Sequence, residues 1–133
     1  MKRLDESCSV AGQIMPEEMP ALAAAGIVRI VNNRPDGEEP GQPAAAEIEA
    51  AARATGLDYR YIPIAGGFNG DDVLAMADAL EGEGQVLAFC KSGTRSAYLW
   101  ALARSEQGRG ADEIIGAAAE AGYDLRPIAA WLS

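Results

Sequence analysis

The stretch Val86-Leu87-Ala88-Phe89-Cys90-Lys91-Ser92-Gly93-Thr94-Arg95-Ser96 runs from a continuous apolar segment to a cysteine, then through a short polar loop with one glycine. Arg95 and Ser96 open a run of helical composition, Ala97-Tyr98-Leu99-Trp100-Ala101-Leu102-Ala103. The order predicted is strand, loop, helix, with a nucleophile at the turn. Backbone N–H groups in the first turn of a helix have no intrahelical partner, and the helix dipole adds positive potential in front of them. A cysteine so placed is expected to react as its thiolate. Arg95 brings a planar fork that suits a tetrahedral oxyanion. Gly93 lets the backbone bend, and the Ser96 hydroxyl is expected to donate to the sulfur. Lys91, Ser92, Gly93 and Thr94 complete an anion-binding loop. A cysteine that ends a buried strand is more often a small core hydrophobe. The polar run behind Cys90 has no packing explanation, and it turns the choice toward reactivity.

Outward from that stretch, composition narrows the field. A chain of 133 residues, 49% hydrophobic and 23% charged, fits a single globular domain over residues 1–133. It contains no apolar run of membrane-spanning length, and its first residues lead into no signal-peptide core. The expectation is a soluble, cytoplasmic protein. Two cysteines, Cys8 and Cys90, are too few for a disulfide framework, and Cys8 reads as core packing. A net charge of −9 disfavours nucleic acid and membrane surfaces as partners. The absence of histidine removes Ser-His-Asp and Cys-His mechanisms and most zinc sites. The chemistry called for is a small anionic substrate with no metal and no cofactor; no oligomeric state is implied.

Along the chain, strand and helix patterns alternate. Residues 7–14 read as a strand and 16–25 as a helix, with Pro20 tolerable only in its first turn. Residues 27–31 form an apolar strand. The following segment holds Pro35, Pro40 and Pro43 with Gly37 and Gly41, which excludes regular structure. Ile48, Ala51, Ala52 and Thr55 mark a helix over residues 44–55, and residues 57–64 read as a strand. Asn69 looks like an N-cap with Asp71 and Asp72 in the first turn, followed by a helical face of Val73, Met76, Ala77 and Leu80. Helices are expected again over residues 111–121 and 125–132, the last capped by Asp124. This alternation predicts an α/β fold with a mostly parallel sheet and helices on both faces. Sites in such folds form beyond the carboxyl ends of the strands, so the loops after Val31, Ile64 and Phe89 should meet. Arg34 and Asp36 thereby become candidates to bind the substrate near Cys90. Arg34 can equally pair with Glu38 or Glu39, and Asp36 can serve as a turn residue in Pro-Asp-Gly.

Cys90-Lys91-Ser92-Gly93-Thr94-Arg95-Ser96 is similar to the loop of cysteine-dependent phosphatases. Together with Val31-Asn32-Asn33-Arg34-Pro35-Asp36-Gly37-Glu38-Glu39-Pro40-Gly41-Gln42-Pro43, it resembles the phosphatase-like domain of the beta-lactamase hydrolase-like family. The resemblance runs from the first strand to Trp100. It implies a dual-specificity-phosphatase fold with Cys90 as nucleophile, Arg95 as oxyanion ligand and Ser96 as a helper of the thiolate. Relatives of the domain fused to sulfide- and persulfide-oxidising enzymes hint at sulfur chemistry.

Three departures from the phosphatase pattern keep more than one activity in view. Four residues separate Cys90 from Arg95, where phosphatases carry five and rhodanese-type sulfurtransferases four. Phe89 stands where phosphatases place histidine. The loop that usually holds a general-acid aspartate reads Ala65-Gly66-Gly67-Phe68, with Asp71 and Asp72 late and Asp36 elsewhere. The leading expectation is a cysteine-dependent phosphatase-like hydrolase acting on phosphoesters. The alternatives are a sulfurtransferase carrying a persulfide on Cys90 and a non-catalytic anion-binding module.

Overall fold

The computed structural model describes residues 1–132. Five strands form one sheet in the order β1-β2-β5-β3-β4: β1 Lys2–Arg3, β2 Cys8–Ala11, β3 Ile27–Asn32, β4 Asp58–Tyr61 and β5 Gln85–Phe89. Every pairing except β1 with β2 is parallel. This is the predicted α/β architecture. Ala11, Phe89, Asn32 and Tyr61 stand in register at the carboxyl edge, so four strands end in one row.

Strands β2 and β5 are buried on both faces, their side chains alternating across the sheet between two helical layers. Val86 and Ala88 pack on one side with α3 (Gly70–Ala79), α4 (Thr94–Glu106) and α5 (Ala111–Glu120). Leu87 and Phe89 pack on the other with α1 (Met19–Ala24) and α2 (Ala45–Ala54). Leu99, Ile48 and Phe89 are fully buried, and each such side chain stabilises the fold by about 1.5–3 kcal/mol. From Ser96 to Arg104 only Tyr98 is less than buried. Helix α4 is thus a central helix enclosed on all sides, the expected result for a helix without a polar face.

The edges of the elements depart from the sequence expectation for local reasons. The strand expected over residues 7–14 ends at Ala11, because the next residues turn toward the loop of β5: Gln13 N–H donates to the Lys91 carbonyl at 3.3 Å. The strand expected over residues 57–64 stops at Tyr61, shortly before Pro63, which has no N–H to give a ladder. The helix expected over residues 16–25 divides into a 3-10 turn, Pro16–Glu18, and α1, whose second residue is Pro20. The last expected helix is a 3-10 segment, Arg126–Trp131. Its N-cap is Leu125, which makes no side-chain cap bond; the expected cap, Asp124, lies one residue earlier and accepts the Arg126 N–H at 2.9 Å. The antiparallel β1 is two charged residues long and carries no alternation that a sequence pattern would show.

At the amino edge of the sheet lies a buried ionic knot. Asp5 Oδ2 accepts from Trp100 Nε1 at 2.8 Å, Arg104 Nε at 2.9 Å and Arg109 Nη1 at 3.0 Å. Its Oδ1 accepts the N–H groups of Ser7 and Cys8 at 3.0 and 2.8 Å. Burial alone would raise the Asp5 carboxyl, but these hydrogen bonds outweigh it and hold the group below its ordinary value. The knot ties the N-terminal segment to the far end of α4. Among the described residues no helix is long and apolar enough to cross a membrane.

Candidate active site

Strand β5 ends at Phe89, and Cys90 begins the turn into α4. The Gly93 N–H donates to the Cys90 sulfur at 3.1 Å. Gly93 is the N-cap of α4 with φ +92°, in the left-handed region that favours glycine. A Cβ there would lie 2.3 Å from the Tyr123 hydroxyl, so the loop has closed against the segment after α5. A Cβ on Gly12 would lie 2.9 Å from the Lys91 carbonyl. The two glycines let the end of β2 and the Tyr123 segment brace the loop from outside. Cys90 itself is fully buried.

Arg95, in the first turn of α4, reaches back across the loop. Its Nη1 donates to Glu38 Oε2 and to the Ile64 carbonyl, both at 2.8 Å, and its Nη2 donates to Glu38 Oε1 at 2.9 Å. The forked Glu38 contact is the main reason the guanidinium is held above its ordinary value, and electrostatic attraction to the nearby Cys90 sulfur adds to it. Reciprocally, Arg95 pulls the Glu38 carboxyl down to about 2, with Arg34 contributing. The three loops predicted to meet do so in this group: Glu38 follows β3, Ile64 follows β4 and Arg95 follows β5.

The segment after β3 shows how the meeting is enforced. The Asn33 N–H donates to the Phe89 carbonyl at 2.8 Å and its side-chain amide to the Ile62 carbonyl at 2.9 Å. Asn32 Oδ1 accepts the Arg34 N–H at 2.9 Å, and its amide donates to the Tyr59 hydroxyl at 3.1 Å. These buried amides carry the strand-to-strand bonding past the end of the ladder. No buried side-chain polar atom among the described residues lacks a partner.

The predicted site residues divide accordingly. Cys90, Gly93 and Arg95 come together as expected. Ser96 is buried in the same turn, but its hydroxyl donates to Asn33 Oδ1 at 2.8 Å rather than to the sulfur. The asparagine is a stronger acceptor than a sulfur and is itself pinned. Ser92 and Thr94 bond each other through their hydroxyls at 3.1 Å, and Lys91 pairs with Glu39 at 3.4 Å on the exposed rim. Of the two roles open to Arg34, the structure shows pairing. Its side chain is 4% exposed and donates to Glu38 at 2.9 Å, Glu39 at 2.6 Å and Gln13 at 3.0 Å. Asp36 likewise takes the turn role, accepting the Ala45 N–H at the start of α2 at 2.7 Å. Asp72 closes a capping box with Asn69, accepting the Asn69 N–H at 3.2 Å while its own N–H donates to Asn69 Oδ1 at 2.8 Å. Asp36 and Asp72, two of the carboxylates weighed as general acids, are therefore engaged at helix N-termini.

Three contributors escape sequence reasoning. Glu38 was visible only as a neighbour for Arg34, since nothing local says that it spans 57 residues to Arg95. Asn33 had no pattern to set it apart from its loop. Tyr123 lies beyond the last recognisable motif; its phenol is pushed up by burial first and by the Cys90 sulfur second.

A fork of N–H donors beside a sulfur at a helix N-terminus can hold an oxyanion against a nucleophile. Proteins of known sequence and structure are similar to this chain. The model of the beta-lactamase hydrolase-like protein, phosphatase-like domain, matches residues 1–107. A beta-lactamase hydrolase-like protein of Agrobacterium fabrum is 40% identical over 98% of this chain, which spans 31% of that protein's length. The crystal structure of a candidate phosphatase from Neisseria meningitidis superposes with a TM-score of 0.83 at 32% identity, covering 99% of this chain and 95% of that one. P. aeruginosa TpbA, in complex with pTyr, shares the fold at 17% identity, with a TM-score of 0.61 over 86% of this chain and 68% of that one. Together with the loop geometry, these matches show that the chain belongs to the phosphatase-like domain family of the beta-lactamase hydrolase-like proteins.

Proposed function

We propose that this chain is a cysteine-dependent phosphatase acting on small phosphoesters, with residues 1–133 as one catalytic unit in a reducing, cytoplasmic setting. One observation carries the reading: the Cys90 sulfur accepts the Gly93 N–H at the start of α4, and the Arg95 guanidinium, in the first turn of the same helix, is held at that loop by Glu38 and the Ile64 carbonyl. The family membership supports it, as does the phosphotyrosine bound by a protein of the same fold. Both cysteines are free thiols, which fits a reducing compartment.

In this mechanism the Cys90 thiolate attacks phosphorus. The S–P bond forms as the bond to the ester oxygen breaks, and the leaving oxygen departs with the electron pair and takes a proton from water. The amides of Lys91 to Arg95 and the Arg95 fork bind the equatorial oxygens. Water then attacks the thiophosphate, the S–P bond breaks, and the thiolate returns with release of phosphate and a proton. With Asp36 and Asp72 capping helices, the leaving group receives no aspartate proton from either. Aryl esters, whose leaving oxygens are acidic, are therefore the better substrates and alkyl esters the poorer.

The same absence favours a second reading, sulfur transfer. The Cys90 thiolate attacks the outer sulfur of thiosulfate, sulfite leaves without protonation, and the persulfide passes its sulfur to a nucleophile such as cyanide. The four-residue spacing between Cys90 and Arg95 supports it, because a tighter loop leaves fewer amides for a phosphoryl group.

Assays of p-nitrophenyl phosphate, an alkyl phosphate and thiosulfate with cyanide, on wild type and Cys90→Ser, decide between them. Aryl phosphate hydrolysis lost in Cys90→Ser supports the phosphatase. Sulfur transfer alone, with an extra sulfur on Cys90 by mass spectrometry, supports the second reading. Either activity retained in Cys90→Ser belongs to some other group, and that reading fails.

A further inference from the structure

Arg95 offers five N–H donors, and the structure accounts for most of them away from the substrate side. Both hydrogens of Nη1 are taken, by Glu38 Oε2 and by the Ile64 carbonyl. One hydrogen of Nη2 is taken by Glu38 Oε1. What remains is the Nε hydrogen and the second Nη2 hydrogen, which form the side-on fork of the guanidinium. Glu38 thus grips the end of the guanidinium and leaves its side-on edge open.

Glu38 is not a loose surface carboxylate that happens to lie within reach. Its Oε1 also accepts Arg34 Nε at 2.9 Å, and the Arg34 side chain is 4% exposed. Arg34 is fixed in turn by Gln13 Oε1 at 3.0 Å and Glu39 Oε1 at 2.6 Å, and its backbone N–H is held by Asn32. A chain of contacts therefore runs from a buried arginine through Glu38 to Arg95. A carboxylate merely standing in for substrate would need to leave; this one is anchored from behind. Side-chain orientation held in advance costs nothing at the moment of reaction.

We propose that Glu38, tethered by Arg34, is a positioning residue that orients Arg95 so that its side-on fork faces the Cys90 sulfur. The inference rests on the phosphatase reading of that same loop. It makes the segment after β3 part of the machinery although none of its side chains touches substrate. A lone arginine would sample many rotamers, and a misoriented fork loses the in-line geometry that displacement at phosphorus needs.

The test compares wild type, Glu38→Gln, Glu38→Asp, Arg95→Ala and the Glu38→Gln/Arg95→Ala double variant. Three readouts are taken: p-nitrophenyl phosphate kinetics, calorimetric binding of orthovanadate, and the midpoint of thermal unfolding. Glu38→Gln is expected to lower kcat at least tenfold with KM changed less than twofold, to weaken vanadate binding at least tenfold, and to leave the unfolding midpoint within a few degrees. Glu38→Asp keeps the charge but shortens the reach, so it is expected to lose kcat as well. In the Arg95→Ala background Glu38→Gln should cost less than twofold more, because it acts through Arg95. Improved vanadate binding or a higher kcat in Glu38→Gln would overturn the proposal and make Glu38 a competing anion. A full loss repeated on top of Arg95→Ala, or no loss at all, would overturn it too. Should wild type lack turnover, the phosphatase reading fails by itself, while the vanadate series still accepts or rejects the Glu38–Arg95 role.

Discussion

Asp5 and Glu38 each bridge a pair of arginines, and they lie at opposite edges of one sheet. Asp5 joins Arg104 and Arg109 at the amino edge, and Glu38 joins Arg34 and Arg95 at the carboxyl edge. Helix α4 connects them, with Arg95 in its first turn and Arg104 in its last, about 13 Å apart along the axis at 1.5 Å per residue. The pair chemistry is the same, but the surroundings are not. The Asp5 side chain is 4% exposed and has both oxygens saturated by backbone, indole and guanidinium donors. Glu38 is 28% exposed and Arg95 26%. The closed knot holds the chain together. The open one leaves the side-on edge of Arg95 unpaired beside the Cys90 loop, so the two knots differ in burial and in saturation.

Breaking the closed knot should produce the largest effect. Asp5→Asn leaves Arg104 without its counter-charge in the interior, and loss of one partner of a buried pair costs about 3–5 kcal/mol. Urea unfolding should show that loss, while kcat of the protein that remains folded stays near wild type. A stable Asp5→Asn protein with impaired turnover would erase the distinction drawn between the two edges.

Gly93→Ala sits next in size. The left-handed φ and the 2.3 Å approach to the Tyr123 hydroxyl both oppose a Cβ, and such strain is worth about 1–3 kcal/mol. Stability and aryl phosphatase activity should fall together, because the loop that holds Cys90 has to shift. Adding Tyr123→Phe removes the clashing oxygen, and part of the stability is expected to return. An unchanged melting temperature in the single variant would show that the loop is looser than the contact implies.

Arg95→Lys should act in the reverse sense to Asp5→Asn. A lysine has no fork for an oxyanion, so catalytic efficiency is expected to drop at least tenfold, about 1.4 kcal/mol. The partly exposed pair with Glu38 contributes little to stability, so the unfolding midpoint should barely move. Normal efficiency in folded Arg95→Lys would remove the working role from the open knot.

The smallest effect is in acid. Asp5 and Glu38 are both held below their ordinary values in the folded state. Each therefore stabilises the fold above its unfolded value, and the contribution fades as pH falls through the folded one. For Glu38 that window runs from 4.5 down to about 2. The gap in melting temperature between wild type and Glu38→Gln, worth about 0.2–1 kcal/mol for a half-exposed pair, should be present at neutral pH and close across that window. A gap that widens in acid would contradict the pairing.

The fold was legible in the chain because its signals are local. Continuous apolar runs such as Val86-Leu87-Ala88-Phe89 and helical faces such as Val73, Met76, Ala77 and Leu80 each report on a few neighbouring residues. Alternation of those elements then implies a parallel sheet with a site beyond its carboxyl edge. Cys90, Gly93 and Arg95 could be named for the same reason, since one strand–loop–helix turn contains all three.

What the tertiary structure alone decided is where the shared donors and acceptors point. Arg34 and Arg95 are both arginines in polar stretches, yet one is buried as a brace and the other is partly exposed in the first turn of α4. Ser96 turns to Asn33, Asp36 turns to α2, and Glu38 crosses to α4. Each choice depends on which acceptor lies within about 3 Å after the loops have packed. A hydrogen bond is short-ranged and directional, whereas a hydrophobic pattern needs only the right side of an element to face inward. The sequence therefore determined the frame and the turn that holds Cys90, and packing determined how the charges around that turn are paired.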